Sequence, residues 1–203
     1  MYVEGSEPDL VWFLHDGLVK LETTGTDGAR SLVAFRGPGE WLGEHAAVDG
    51  GPRMTTAVVV RDASMTSLRR DDFIASVLAA PDVAKVLLSS FVGHVRASVE
   101  HELQLASGEP AVLVARRLLM LATEPRFAAM RSARDGALSI EMPISHEELA
   151  TWAGVSRRSV ETALQSLRST GVISTSRMRV AVHDLDGLDL VSRRRSGEVA
   201  SGE

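Results

Sequence analysis

Two groups of side chains have the types and spacing for chemistry with phosphate. The first runs Trp41-Leu42-Gly43-Glu44-His45 and resumes nine residues after the acid at Arg53-Met54-Thr55-Thr56-Ala57. Arg53 can pair with a phosphate, backbone N–H groups of the glycine-rich turn can cradle its oxygens, and Glu44 can accept from a ribose hydroxyl. The second is Ser145-His-Glu-Glu-Leu-Ala150-Thr-Trp-Ala-Gly154-Val-Ser156-Arg-Arg-Ser-Val160-Glu-Thr162. Here Arg157 and Arg158, with Thr162 one turn on, can reach guanine edges or phosphate, while Ser145, Ser156 and Ser159 can bond backbone phosphates at helix N-termini. Downstream, Arg177 and Arg179 sit at a basic tip between alternating apolar residues.

Other constellations carry no chemistry. The chain has no cysteine, which excludes disulfides, thiolate zinc sites, cysteine-ligated clusters and cysteine nucleophiles. His146-Glu147-Glu148 lacks the second histidine of a zinc-protease motif, and Asp184-Leu-Asp186-Gly187-Leu-Asp189 lacks the terminal glutamate of a calcium loop. His94 and His101 lie seven residues apart on one helix, two turns, too far to share an ion. There is no nucleophile elbow and no P-loop. The expectation is a protein that is not an enzyme and has no metal site.

The elements that must position these residues are legible in part. Ser145 and Ser156 are each placed to cap a helix, Glu148 completes a capping box, and Gly154 allows the left-handed backbone of a tight turn. Leu149, Ala153, Val155, Val160 and Ala163 then form a compact core, the pattern of a helix-turn-helix. Val172–Val182 alternates around its arginines like the wing of a winged helix. Val11–Leu14, Leu18–Thr23, Ser31–Arg36, Ala57–Arg61 and Ser64–Leu68 read as short strands separated by turns, two of them at Asp16-Gly17 and Arg61-Asp62, predicting a small antiparallel barrel or sandwich. From Asp71 the period becomes helical. Pro81 can open a long helix, Gly108-Glu109-Pro110 ends it, and Leu88, Phe91, Val92, Val95 and Val99 form its apolar stripe. The tail from Ser192 to Glu203 has almost nothing to bury and is predicted to be disordered.

The 203 residues are 44% hydrophobic and 24% charged, ordinary globular values. The net charge of −5 is unevenly spread: residues 1–109 hold 9 basic and 16 acidic side chains, residues 110–203 hold 13 and 11. The basic half is the one with the helix-turn-helix. No apolar run is long enough for a spanning helix, and the acidic N-terminus lacks the pattern of a secretory signal, so a cytoplasmic protein without a membrane partner is expected.

With these residues in order, the chain resembles the Crp/Fnr family of bacterial transcription regulators from about residue 2 to 190. The resemblance implies an α+β fold: an antiparallel β-roll of the jelly-roll type, a long dimerisation helix and a winged helix-turn-helix. It divides the chain into residues 1–80, a cyclic-nucleotide-binding-like roll; 81–109, the long helix and hinge; 110–191, the DNA-binding domain; and 192–203, the tail. It places Gly43, Glu44 and Arg53 on the ligand positions of the family's phosphate-binding cassette, with Met54, Thr55 and Ser98 also on effector positions. It implies cyclic AMP or another cyclic nucleotide as candidate effector and no certain cofactor. The expected partners are double-stranded DNA, a second copy of the chain and RNA polymerase. Departures are informative: His45 replaces a cassette leucine and Met54 a phosphate-binding serine, and Met54 cannot donate to phosphate. Alternative readings are a regulator that needs no effector, and a cyclic-nucleotide sensor acting through protein partners. The family also places a helix and an early strand ahead of Tyr2–Leu14, so the roll is expected to be short at its start.

Overall fold

A computed structural model describes residues 1–134, 137–141 and 144–194. Its contacts divide the chain into two units, Met1–Glu102 and Leu103–Glu203.

In the first unit β1 (Leu10–Thr24) is the central strand of a four-stranded antiparallel sheet. One edge pairs with β4 (Thr56–Arg69) along nearly its full length; the other is shared by β3 (Trp41–Leu42) and β2 (Arg30–Arg36). The four short strands expected across residues 11–23 and 57–68 are therefore two long ones. Asp16-Gly17 and Arg61-Asp62 are not turns but face each other where the β1–β4 register slips between Leu14 and Val19. Gly17 has φ +97°, and a Cβ there would collide with the Asp62 carbonyl oxygen and Ala63. Local turn chemistry is thus absorbed as bulges, which bend the ribbon and switch its buried face. Leu14, Val19, Leu21, Leu42 and Ala57 form one core, with Tyr2 and Trp12 against it.

A second cluster joins the sheet to the helices. Val11, Ala47, Phe73 and Leu87 are buried together, and Trp41, Ile74 and Phe91 pack on them. They come from α1 (Glu44–Asp49), α2 (Arg70–Ala79) and α3 (Pro81–Ser107) as well as the strands. Pro81 opens α3 as expected, its missing N–H costing nothing in a first turn. Helix α1 was not expected from sequence. It is six residues long between two left-handed glycines, Gly43 (φ +80°) and Gly50 (φ +73°), too short to show a helical period.

The second unit is built on α4 (Pro110–Thr123), whose Val112, Leu113, Val114, Ala115, Leu118 and Leu121 are buried. It packs against α5 (His146–Ala153), α6 (Arg157–Ser169) and α7 (Leu185–Ser192). After a 3-10 segment, Pro125–Met130, a four-stranded antiparallel sheet has the order β5-β6-β8-β7. Its strands are β5 (Arg131–Arg134), β6 (Ala137–Glu141), β7 (Ile173–Ser176) and β8 (Arg179–Val182). Strand β5 has no signal in the sequence, because Arg-Ser-Ala-Arg carries no apolar alternation; its pairing with β6 makes it a strand. Helix α7 occupies the acidic stretch that superficially matches a calcium loop: Asp184 Oδ1 accepts from Gly187 N at 2.8 Å as an N-cap. Ser192 closes α7, is buried, and its carbonyl accepts from Arg116 Nε at 2.7 Å, so ordered chain reaches beyond the expected start of the tail. The rest of that expectation, residues 195–203, lies outside the described residues. Among the described residues no single helix is long and apolar enough to cross a membrane.

Candidate nucleic-acid interface and roll cavity

The helix-turn-helix is fastened at each joint. Ser145 Oγ accepts from Glu148 N at 3.2 Å, and Glu148 Oε2 accepts from Ser145 N at 2.7 Å, so both halves of the capping box are made. At the far end of α5, Gly154 adopts φ 70° and ψ 33°, and Val155 N donates to Ala150 O at 3.0 Å. A Cβ at Gly154 would also strike Leu105. Ser156 then caps α6, accepting from Ser159 N at 3.1 Å. Leu149, Ala150, Ala153, Val160 and Ala163 are buried at the helix crossing, while Val155, expected among them, is only half-buried. Helix α4 holds this pair in place through Arg117. Its Nε donates to Trp152 O at 2.9 Å and its guanidinium lies 5.0 Å from that indole centroid. Burial pushes Arg117 down to about 10, which leaves it charged at neutral pH.

What remains outward on α6 is a polar face. Arg157, Arg158 and Thr162 are exposed, and Arg157 Nε donates to Glu161 Oε1 at 3.1 Å. Gln165 is exposed on the face of Arg158 and Thr162, at spacing i+7 from Arg158. It was not singled out in the sequence, although the same helical period that marks the buried stripe marks it. The serines are less free than their spacing suggests. Ser156 and Ser159 share a hydroxyl contact of 2.9 Å, and Ser145 Oγ donates to Glu148 Oε2 at 2.9 Å. In the wing, β7 and β8 meet at a tip of exposed Arg177 and left-handed Met178 (φ 57°); Arg179 is half-buried, 3.3 Å from Glu141 Oε1.

The other candidate group is only partly assembled. Gly43, Glu44 and Arg53 are adjacent: Arg53 Nη1 donates to Gly43 O at 2.8 Å, and its Nη2 donates to Leu10 O. The guanidinium is fully covered, 4.6 Å from the Tyr2 centroid and 5.5 Å from that of Trp12. Tyr2 is held there by a β-bridge to Ala57, with Gly5 N donating to Arg53 O and Arg53 N to Ser6 O. Arg53 thus ties the first residues of the chain to β1 and α1, and its Nε is buried without a hydrogen-bond partner. Met54 is exposed, Thr55 hydrogen-bonds Tyr2, and Ser98 is exposed on α3, one turn after His94.

Glu44 is 2% exposed, with His45 Nδ1 2.9 Å from its Oε1, close but without the alignment of a hydrogen bond. Burial alone would raise this carboxyl. The His45 imidazole, its own backbone and Arg36 outweigh that and hold it below the usual carboxylate value. Phe91 stacks on His45 with centroids 4.7 Å apart, so it faces the roll and does not belong to the outward stripe in which it was expected. Leu88, Val92, Val95 and Val99 do form that stripe, each half-exposed or more.

Residues 1–78 match the cyclic nucleotide-binding domain, and residues 114–191 the Crp-like helix-turn-helix domain. A CRP-like cAMP-activated global transcriptional regulator of Mycobacterium tuberculosis is 27% identical over 93% of this chain and 82% of its own. A cyclic AMP receptor protein of Thermus thermophilus is 31% identical over 85% of this chain and 74% of its own. Among solved structures, a CRP-family transcriptional regulator, also from Thermus thermophilus, superposes with a TM-score of 0.78 at 26% identity, covering 95% of this chain and 92% of that one.

Proposed function

We propose a residue-level mechanism for a chain that belongs to the Crp/Fnr family of transcription regulators. Like its relatives it is a DNA-binding regulator and not an enzyme. In our reading, α6 enters the major groove with its exposed face of Arg157, Arg158, Thr162 and Gln165 toward base edges. Ser145, Ser156, Ser159, Arg177 and Arg179 border that face and contact the phosphate backbone, which positions the protein without reading sequence. The observation that carries this reading is the fully capped helix pair with a polar outer face on α6.

Two copies pair along α3. Leu88, Val92, Val95 and Val99 follow one another at steps of four, three and four, the a/d spacing of a coiled coil, and are exposed in a single chain. A two-fold dimer then presents two α6 helices to half-sites about one helical turn apart. The roll is the regulatory element, and cyclic AMP or a related nucleotide is its candidate effector. The buried acceptor Glu44 and the spare N–H of Arg53 fit a ribose and a phosphate. Binding requires Arg53 to exchange the Gly43 and Leu10 carbonyls for phosphate oxygens, so the nucleotide must open the Tyr2 cover. An effector shifts the DNA-binding equilibrium only by its differential affinity for the two states.

The test is a binding selection on randomised duplexes with the wild type and with Arg157→Ala and Arg158→Ala. The wild type is expected to return one two-fold-related consensus, and each variant a flattened preference, at a cost of about 1–3 kcal/mol for each base reader removed. Unchanged consensus in both variants would remove the arginines from base reading.

A further inference from the structure

Beyond DNA binding, the geometry points to a first-row divalent metal site between α1 and α3, made by Glu44, His45 and His94. One ligand atom from each lies within 4.8 Å of the other two. Glu44 and His45 are the first residues of α1, whereas His94 comes from the middle of α3. The sequence offered His94 only with His101, two turns along the same helix; tertiary packing supplies a different imidazole. The two rings sit 5.3 Å apart at 31°, and Phe91 stacked on the first fixes its plane.

The donor set selects the ion. Two imidazoles and one carboxylate suit zinc, cobalt or nickel, whereas magnesium and calcium prefer all-oxygen shells. Metal–ligand bonds of about 2.0–2.2 Å require the donors, now within 4.8 Å of one another, to draw closer on binding. The Glu44 carboxylate is the second observation. It is nine-tenths buried and more, and its Oε1 faces the imidazoles without an aligned hydrogen bond. A buried carboxylate oxygen without a donor of its own is costly, and a divalent cation at Oε1 compensates it directly. Three protein ligands leave a fourth position for water, the open arrangement of an exchangeable rather than a closed structural site. An ion held there ties the start of α1 to α3 and biases the helix whose outer stripe we assign to dimerisation. Metal availability then becomes an input to the roll that does not pass through Arg53.

The test uses the full-length protein, stripped with chelator and titrated with cobalt(II) by visible absorption, then with zinc(II) in competition. One equivalent per chain is expected, with a ligand-field spectrum showing nitrogen and oxygen ligation. His45→Gln and His94→Gln should each weaken binding by about a hundredfold or more, while His15→Gln and His101→Gln leave it unchanged. Circular dichroism and operator binding in each variant exclude misfolding. Absence of saturable cobalt binding, or binding that survives His94→Gln in a folded chain, overturns the site. Operator binding by a wild type that takes up neither cobalt nor zinc would sink this inference and leave the DNA-binding reading intact.

Discussion

Ser145 shows how one side chain can set the orientation of a recognition element. It accepts from Glu148 N while Glu148 returns a bond to its backbone, so α5 begins at one place and one angle. Ser145→Ala is expected to lower stability by about 1 kcal/mol, measured by urea unfolding, and Glu148→Ala by a similar amount. The double variant should cost less than the sum, because both act on one reciprocal box. An additive result would mean that the two bonds act independently. This box was legible from Ser-x-x-Glu alone, as were the Gly154 turn and the Ser156 cap, since each depends on neighbours within four residues. The grouping of Glu44, His45 and His94 was not. Its members are adjacent only because α3 returns against α1, about fifty residues later in the chain, and the single local clue is a histidine where the cassette carries leucine.

At the scale of elements, α3 divides its residues between two tasks. Phe91 and Leu87 turn inward to the roll, while Leu88, Val92, Val95 and Val99 turn out. A one-chain pattern cannot separate these faces when both are apolar, which is why Phe91 reads as part of the stripe. Val95→Glu should leave the inward face intact and place like charges across the seam of a dimer. We expect light scattering to give the mass of one chain for this variant and of two for the wild type, with an unchanged circular dichroism spectrum. A wild type that is already monomeric at micromolar concentration would remove α3 as the interface. The β1–β4 ribbon teaches a related lesson. Asp-Gly and Arg-Asp are good turn chemistry, yet both strands continue past them with only a slip of register, because pairing along nearly the whole of two strands outweighs what either dipeptide prefers alone. Strand β5 and helix α1 escaped notice for the opposite reason: they are four and six residues long, and a period needs more repeats than that to show.

For the whole molecule, acidic and basic halves make salt the sharpest probe of assembly. Removing one phosphate contact reduces the slope of log affinity against log salt by about 0.9. In a two-fold dimer one substitution removes two such contacts. Arg177→Ala is therefore expected to lower the slope by about 1.8, with little change in consensus. A drop of half that size would mean that only one wing of the pair touches DNA. The division into a β-rich first half and a winged second half was readable from periodicity and charge, because those are properties of long stretches. The tie between Tyr2, Arg53, Gly43 and Leu10 was not, since it joins segments far apart in sequence through backbone oxygens that carry no side-chain signature. That tie bears on how the protein should be interrogated. Replacing the cassette arginine with alanine is the obvious way to make a ligand-blind control, but here the same substitution would also take the cation off the Tyr2 ring and remove a side-chain donor from the Gly43 and Leu10 carbonyls. A silent Arg53→Ala regulator would report a loosened scaffold, and a failure of signalling could be blamed on the wrong event.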